Sequence, residues 1–307
     1  MKLLVLGATG DQGRAQVEVA LEAGHQVRVA VRNPDRAARG LPEGVELAAA
    51  DLSKADFGEA ALVRAAAGCS VLLANFPSSS FNDGRWLVDA ASATGRAARR
   101  AGVEIIVFNT SLPQRERLMD FPAHDVRFSM RLALAESGVP VVTLAPVVFM
   151  DNLLRGWAFP AITREDCFRY AHLPELRVSW ICQADLARLM LAAAARPQLG
   201  GEVFRVGGPE ALRGAEVARK LTVASGRPIR FESQSVASFC EAMRPQVRHH
   251  APAEAARLLH ELGRIYRWYN EGVERPFEVD MRPVLAQLPV ALTSFSDWAG
   301  QQLWTRA

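Results

Sequence analysis

Apolar residues in the first half of the chain come in short runs, and longer stretches with helical spacing lie between them. Leu3–Leu6, Val27–Val31, Val45–Ala48, Val71–Ala74, Ile105–Phe108 and Val141–Leu144 predict strands. Phe57–Ala67 and Arg85–Ala101 predict helices between them. In the second of these Trp86, Ala90, Ala93, Ala97 and Ala101 recur on one helical face, which is expected to be core. A further helix is expected from Pro122 to Ser137, with proline in its first turn and Gly138 at its C-cap. Strands that alternate with helices predict a parallel sheet covered on both faces.

Past Asp151 the alternation becomes irregular. Leu153–Pro174 mixes aromatic residues with prolines and is expected to form a loop or lid. Helices are expected at Ala184–Ala195, Glu216–Ser225, Ser235–Met243 and Ala253–Glu271. Strands are expected at Glu202–Val206, closed by Gly207-Gly208-Pro209, and at Ile229–Glu232. The expected organisation is a core over residues 1–152 and a smaller C-terminal α/β cap over 153–307 that partly completes the core.

The first strand runs into Gly7-Ala8-Thr9-Gly10-Asp11-Gln12-Gly13, after which a helical pattern begins with Gln16, Val17, Val19, Ala20 and Leu21. Glycines three apart between a strand and a helix have a physical purpose. They permit the tight turn, let backbone approach a diphosphate, and pack the helix closely on the strand. The amides at the helix start then face the anion with the positive end of the helix dipole behind them. The fold class is therefore α/β, a Rossmann-type doubly wound parallel sheet, and Gly7, Thr9, Gly10, Asp11, Gln12 and Gly13 are candidate dinucleotide contacts.

The residue after the second strand reads the adenosine ribose in such folds. Here Val31-Arg32-Asn33-Pro34-Asp35-Arg36 puts Arg32 and Arg36 where an acidic residue would favour NAD. Guanidinium groups pair with a 2′-phosphate in charge-assisted geometry, which points to NADP. Asp51, after the third strand, either accepts from the adenine amino group or serves the turn.

Composition excludes other classes more than it selects one. The formal charge of +3, from 36 basic and 33 acidic residues, is too small to argue for nucleic acid. Arg96, Arg99 and Arg100 cluster at a helix end, where cations suit the dipole. The four cysteines (Cys69, Cys167, Cys182, Cys240) match no metal or redox spacing and are expected to be reduced and buried, which suits a cytoplasmic protein. His249-His250 with His260 completes no metal site, so none is expected. The apolar run Val139–Met150 is too short to span a membrane and contains Pro140 and Pro146, and the N-terminal segment is too short for a secretory signal. Tyr266, Trp268 and Tyr269 are expected to pack the cap or, if exposed, to form a homodimer surface.

These pieces together resemble the NmrA-like group of atypical short-chain dehydrogenases/reductases. The likeness is carried by the glycine loop, Val31-Arg32-Asn33-Pro34, Ala50-Asp51-Leu52 and Ala74-Asn75-Phe76. It continues through Phe108-Asn109-Thr110-Ser111, Ser137-Gly138-Val139-Pro140, Pro146-Val147-Val148-Phe149-Met150-Asp151-Asn152 and Thr293-Ser294-Phe295-Ser296-Asp297-Trp298. The resemblance implies a small C-terminal domain, a substrate cleft, and cofactor contacts at Leu52, Asn75, Phe76, Pro146 and Phe149. It also implies a serine position at Ser111, and it covers NADP-binding regulators as well as quinone, dye and phenylpropanoid reductases.

Ordinary short-chain reductases protonate the carbonyl with a tyrosine whose pKa is lowered by a lysine four residues on. Four residues after Tyr170, Tyr266 and Tyr269 come Pro174, Asn270 and Val273, so that pair is absent. The family's lysine position falls on Arg127 and its tyrosine position on Ala123. Arginine can hold a ribose or an oxyanion but does not give up a proton at working pH. Three expectations stay open. Hydride passes to a quinone-, enone- or carbonyl-like acceptor with solvent as proton source, Ser111 holding the acceptor and His124 and Arg127 lining the nicotinamide side. Alternatively His124, Tyr170 or His172 is the acid. Or the chain is a silent NADP sensor acting through a protein partner.

Overall fold

The computed structural model describes every residue except 53–57, 78–80, 82, 115 and 306–307. In chain order the elements are β1 Lys2–Leu6, α1 Asp11–Glu22, β2 Gln26–Val31, α2 Pro34–Ala38, β3 Glu46–Ala49, α3 Glu59–Ala66, β4 Val71–Asn75, α4 Trp86–Ala101, β5 Ile105–Asn109, α5 Pro122–Ala135 and β6 Val141–Pro146. There follow α6 Phe159–Arg164, β7 Cys167–Tyr170, α7 Gln183–Ala194, β8 Val203–Val206, α8 Gly214–Ser225, β9 Arg230–Ser233, α9 Val236–Ala242, α10 Arg244–Val247 and α11 Pro252–Glu271.

Seven strands form one sheet in the order β3-β2-β1-β4-β5-β6-β8. From β3 to β6 every neighbouring pair is parallel. The chain winds outward from β1 to β3, then crosses back to place β4 on the other side of β1. At such a reversal the loops leaving the two strands diverge and open a crevice beyond their C-terminal ends. Strands β4, β5 and β6 are buried along their whole length, as expected of parallel strands covered on both faces. Leu4, Leu6, Leu72, Ala74, Ile106 and Phe108 belong to one apolar cluster with Leu87, Ala90 and Leu134 from the helices.

The chain divides into two compact units. The first comprises Met1–Pro146, Gln183–Arg205 and Pro283–Val290; the second comprises Val147–Cys182, Val206–Arg282 and Ala291–Ala307. In the second unit β7 and β9 form a two-stranded parallel sheet.

Two expectations from the sequence are corrected. Leu153–Pro174 is not a continuous loop, since it holds α6 and β7, with Cys167, Phe168 and Tyr170 buried on the strand. Proline suits the first turn of α6 because the amide it lacks would be unpaired there. The core face of α4 is narrower than its spacing implies. Ala90, Ala93 and Ala97 are fully buried, whereas Ala101 is half-buried and Trp86 is 40% exposed. Trp86 is the first residue of the helix and lines a cavity, while its neighbour Leu87 takes the core position in that turn. In the expected helix Phe57–Ala67, Phe57 lies outside the described residues; the described helix starts at Glu59, after Gly58 with a left-handed backbone.

Candidate dinucleotide site

Backbone closeness explains the glycines at the end of β1. Gly7 has φ +69°, and a Cβ there would stand 2.8 Å from the Asn75 carbonyl oxygen. A Cβ on Gly13 would collide with the Gly7 carbonyl and lie 2.9 Å from Ala8 Cα. The amide of Gly10 donates to Gly7 O at 3.0 Å, and that of Arg14 to Gly10 O at 2.8 Å. Gly10 offers α1 no side-chain cap, so the helix start keeps the geometry that binds anions.

A cavity of about 460 Å³ extends from this loop. Its lining holds Gly7, Thr9, Gly10, Asp11, Gln12 and Gly13 together with Arg32, Asp51, Leu52, Asn75 and Phe76. An adjoining cavity of about 570 Å³ is lined by Thr9, Arg14, Arg32, Asn33 and Arg36. The side chains of Arg32 and Arg36 are exposed and form no ion pair among the described residues. Asn33 Oδ1 accepts from the Arg36 amide at 3.0 Å and so caps α2, fixing the backbone that carries both arginines. Unpaired guanidinium groups beside a glycine loop of this geometry have the charge and planarity to pair with a phosphate. Asp51 is half-buried, and its turn is pressed by Gly58, where a Cβ would lie 2.9 Å from Asp51 O.

Behind the loop the strand ends are tied by side-chain amides. Asn75 Nδ2 donates to Leu6 O at 2.9 Å and to Gln16 Oε1 at 2.7 Å, and Gln16 Nε2 returns a bond to Asn75 Oδ1 at 2.8 Å. Asn109 Nδ2 donates to Asn75 Oδ1 at 3.0 Å and to Gln12 Oε1 at 2.6 Å. Ser111 Oγ also donates to Gln12 Oε1, at 2.8 Å. Ser111 has φ +60°, a left-handed backbone that a serine adopts only when its surroundings hold it. Here its amide donates to Asn109 Oδ1 at 2.9 Å. Five polar residues thus lock the ends of β1, β4 and β5 in register beneath the cradle.

Gln16 and Asn109 escaped the sequence reading as site residues. The signal for Gln16 was a polar residue within an otherwise apolar helical face; buried amides of that kind need partners.

Helix α5 buries both chemically interesting residues it carries, His124 and Arg127, each 2% exposed. Arg127 donates to Ala123 O at 3.0 Å and to Pro77 O at 3.2 Å, and Pro77 lines the 460 Å³ cavity. His124 Nδ1 lies 2.6 Å from Pro113 O. A carbonyl only accepts, so Nδ1 carries the proton. Burial, with a smaller contribution from Arg127, pushes the imidazole pKa down to about 4 despite that carbonyl.

The remaining candidates lie on other elements. Pro146 ends β6 in the first unit, and Phe149 is buried in the second, bridged to Ile181. Tyr170 and His172 are 2% and 3% exposed, also in the second unit. They sit among Trp157, Phe168, Trp180 and Phe277. Burial raises the Tyr170 hydroxyl to about 12, and hydrogen bonds with Tyr266 and Asn152 only partly oppose this. Burial lowers His172 to about 3, and its Nε2 has no hydrogen-bond partner.

Tyr269 is buried and Tyr266 and Trp268 are half-buried on α11, where they pack on one another and on Phe239 and Phe277. Among the described residues all four cysteines are free, no cluster could hold a metal ion, and no helix is long and apolar enough to cross a membrane.

Comparison with known proteins agrees with this geometry. The model of the NmrA-like family matches residues 1–299. The NAD(P)H azoreductase of Xenophilus azovorans is 30% identical over 262 residues, 85% of this chain and 86% of that protein. The solved structure of Citrobacter sp. triphenylmethane reductase complexed with NADP(H) superposes with a TM-score of 0.74 at 21% identity, covering 98% of this chain and 100% of that one. NmrA, a negative transcriptional regulator solved with NADP, superposes with a TM-score of 0.72 at 17% identity, covering 98% of this chain and 94% of that one.

Proposed function

The chain belongs to the NmrA-like family, and on that footing we propose that it is an NADP(H)-dependent oxidoreductase delivering hydride to a small organic acceptor, quinone-, enone- or carbonyl-like, without a tyrosine–lysine pair. The observation that carries this reading is the glycine cradle with the unpaired Arg32 and Arg36 beside it. Bound NADPH would supply the hydride. The backbone between Gly7 and Gly13 would take the diphosphate, Arg32 and Arg36 the 2′-phosphate, and Asp51 the adenine edge. Asn75, Phe76 and Pro146 at the strand ends would complete the binding surface, with Leu52 beside Asp51.

Proton supply falls to solvent in this reading. His124 is neutral at pH 7 and its one N–H is committed to Pro113 O. Tyr170 and His172 are neutral and buried. Arg127 keeps its charge and would stabilise negative charge developing on the acceptor. Ser111 would bond the acceptor after releasing Gln12 Oε1, which its hydroxyl now engages. A reductase that relies on water suits acceptors whose two-electron reduced form is a stable anion.

A second reading, a silent NADP(H) sensor working through a protein partner, draws on the same lack of a poised acid and on the likeness to the regulator. Stopped-flow NADPH oxidation with quinones, azo dyes, enones and aldehydes separates the two. Turnover of any acceptor supports the reductase, and tight NADPH binding with none consumed supports the sensor.

A further inference from the structure

Of the six tryptophans in the chain, five pack against another aromatic ring: Trp157, Trp180, Trp268, Trp298 and Trp304. Trp86 does not. Among the described residues no aromatic ring engages it, and it is 40% exposed at the first position of α4. Leaving an indole 40% exposed forfeits a sizeable part of its apolar burial. The exposure is directed, because Trp86 lines the 460 Å³ cavity with Asp51, Leu52 and Leu62.

The ring is also held in place. A Cβ on Gly84 would fall 2.6 Å from Trp86 Cδ1 and 2.9 Å from Nε1, so the indole lies against bare backbone that only glycine offers. Ala30, Ala50, Leu52 and Leu62 make this part of the cavity apolar, while Arg32 brings positive charge to its lining. An apolar stretch of cavity whose lining also holds a carboxylate, Asp51, and an arginine, Arg32, is suited to a purine joined to a phosphorylated ribose.

We infer that Trp86 is a stacking platform for the adenine ring of the dinucleotide, seated by Gly84. The inference rests on the cofactor reading above and adds to it a residue that the glycine motif does not predict. Stacking on an indole needs no hydrogen-bond code, so Trp86 would supply affinity while Asp51 supplies base selection.

The test uses the full chain and 2′,5′-ADP, which carries the adenine and the 2′-phosphate but no nicotinamide. For Trp86→Ala, calorimetry should show binding weakened about tenfold, the scale of one lost base–aromatic stack. Trp86→Phe should restore affinity to within about threefold, since a smaller ring still stacks. Gly84→Ala should weaken binding while leaving the tryptophan present, because the new methyl displaces the ring. Binding of 2′,5′-ADP should quench tryptophan emission in the wild-type protein and not in Trp86→Phe. Equal affinity for wild type and a folded Trp86→Ala variant, checked by its thermal transition, would overturn the assignment and leave the cofactor reading standing. A wild-type protein that binds neither 2′,5′-ADP nor NADPH would remove both.

Discussion

The C-terminal ends of β1, β4 and β5 and the aromatic cluster around Tyr170 are both rich in polar side chains, yet they use them in opposite ways. At the strand ends the side-chain amides of Gln16, Asn75 and Asn109 all have partners, and the unpaired charges of Arg32 and Arg36 are left exposed beside a cavity. In the cluster the titratable groups are shut away from water, and His172 lacks a partner at Nε2. Satisfied networks rigidify the backbone they tie, whereas a buried imidazole with no partner only resists charging. The first arrangement is suited to holding a ligand. The second is suited to holding a fold.

Substitutions should separate the two regions, the most damaging first. Trp180, 1% exposed and packed on Phe168, Tyr170 and His172, should lose about 4 kcal/mol of stability when changed to alanine. Urea unfolding checks this, and an unaltered 2′,5′-ADP affinity in the folded variant is expected. A changed affinity would break the separation. Gly13→Ala should abolish measurable NADPH binding and lower stability by about 2 kcal/mol, because its methyl meets the Gly7 carbonyl. Calorimetry and thermal unfolding read both effects, and retained binding would show that the loop can yield.

Arg32→Ala is a milder change. It should weaken NADPH tenfold or more, equivalent to about 1.4 kcal/mol, and leave NADH nearly unchanged. Equal losses for both nucleotides would mean that Arg32 does not read the phosphate.

The last effect concerns acid and is read as a slope of stability against pH. His172 and His124 have folded pKa values of about 3 and about 4, below the ordinary 6.5. The unfolded chain therefore takes up protons first as pH falls, so stability is highest above about pH 6.5 and declines toward pH 4. His172→Phe should flatten that decline by about 1.4 kcal/mol per pH unit. Unfolding midpoints at pH 6.5 and 4.5 test it, and an unchanged slope would show that His172 is not the proton acceptor.

Much of the cradle was legible because its causes are local. Gly7, Gly10 and Gly13 stand between an apolar run and a helical pattern, Asn33 precedes a proline at a helix start, and Arg32 follows a strand. Their roles depend on residues within a few positions, which a linear reading can weigh. The amide network was not legible: Asn75 meets Gln16 from 59 residues away, and Asn109 meets Gln12 from 97. Trp86 was misassigned for a related reason, since helical spacing continues to the first residue of α4, whereas residues distant along the chain open a cavity on that side.

The sequence by itself determined the strand–glycine–helix order, the parallel sheet and the absence of a tyrosine–lysine pair, because short-range pattern and residue identity suffice for these. Tertiary structure alone decided which strands became neighbours, which arginines stayed unpaired and which histidines lost their charge. Burial and pairing are properties of the folded environment, assembled from segments that are distant along the chain.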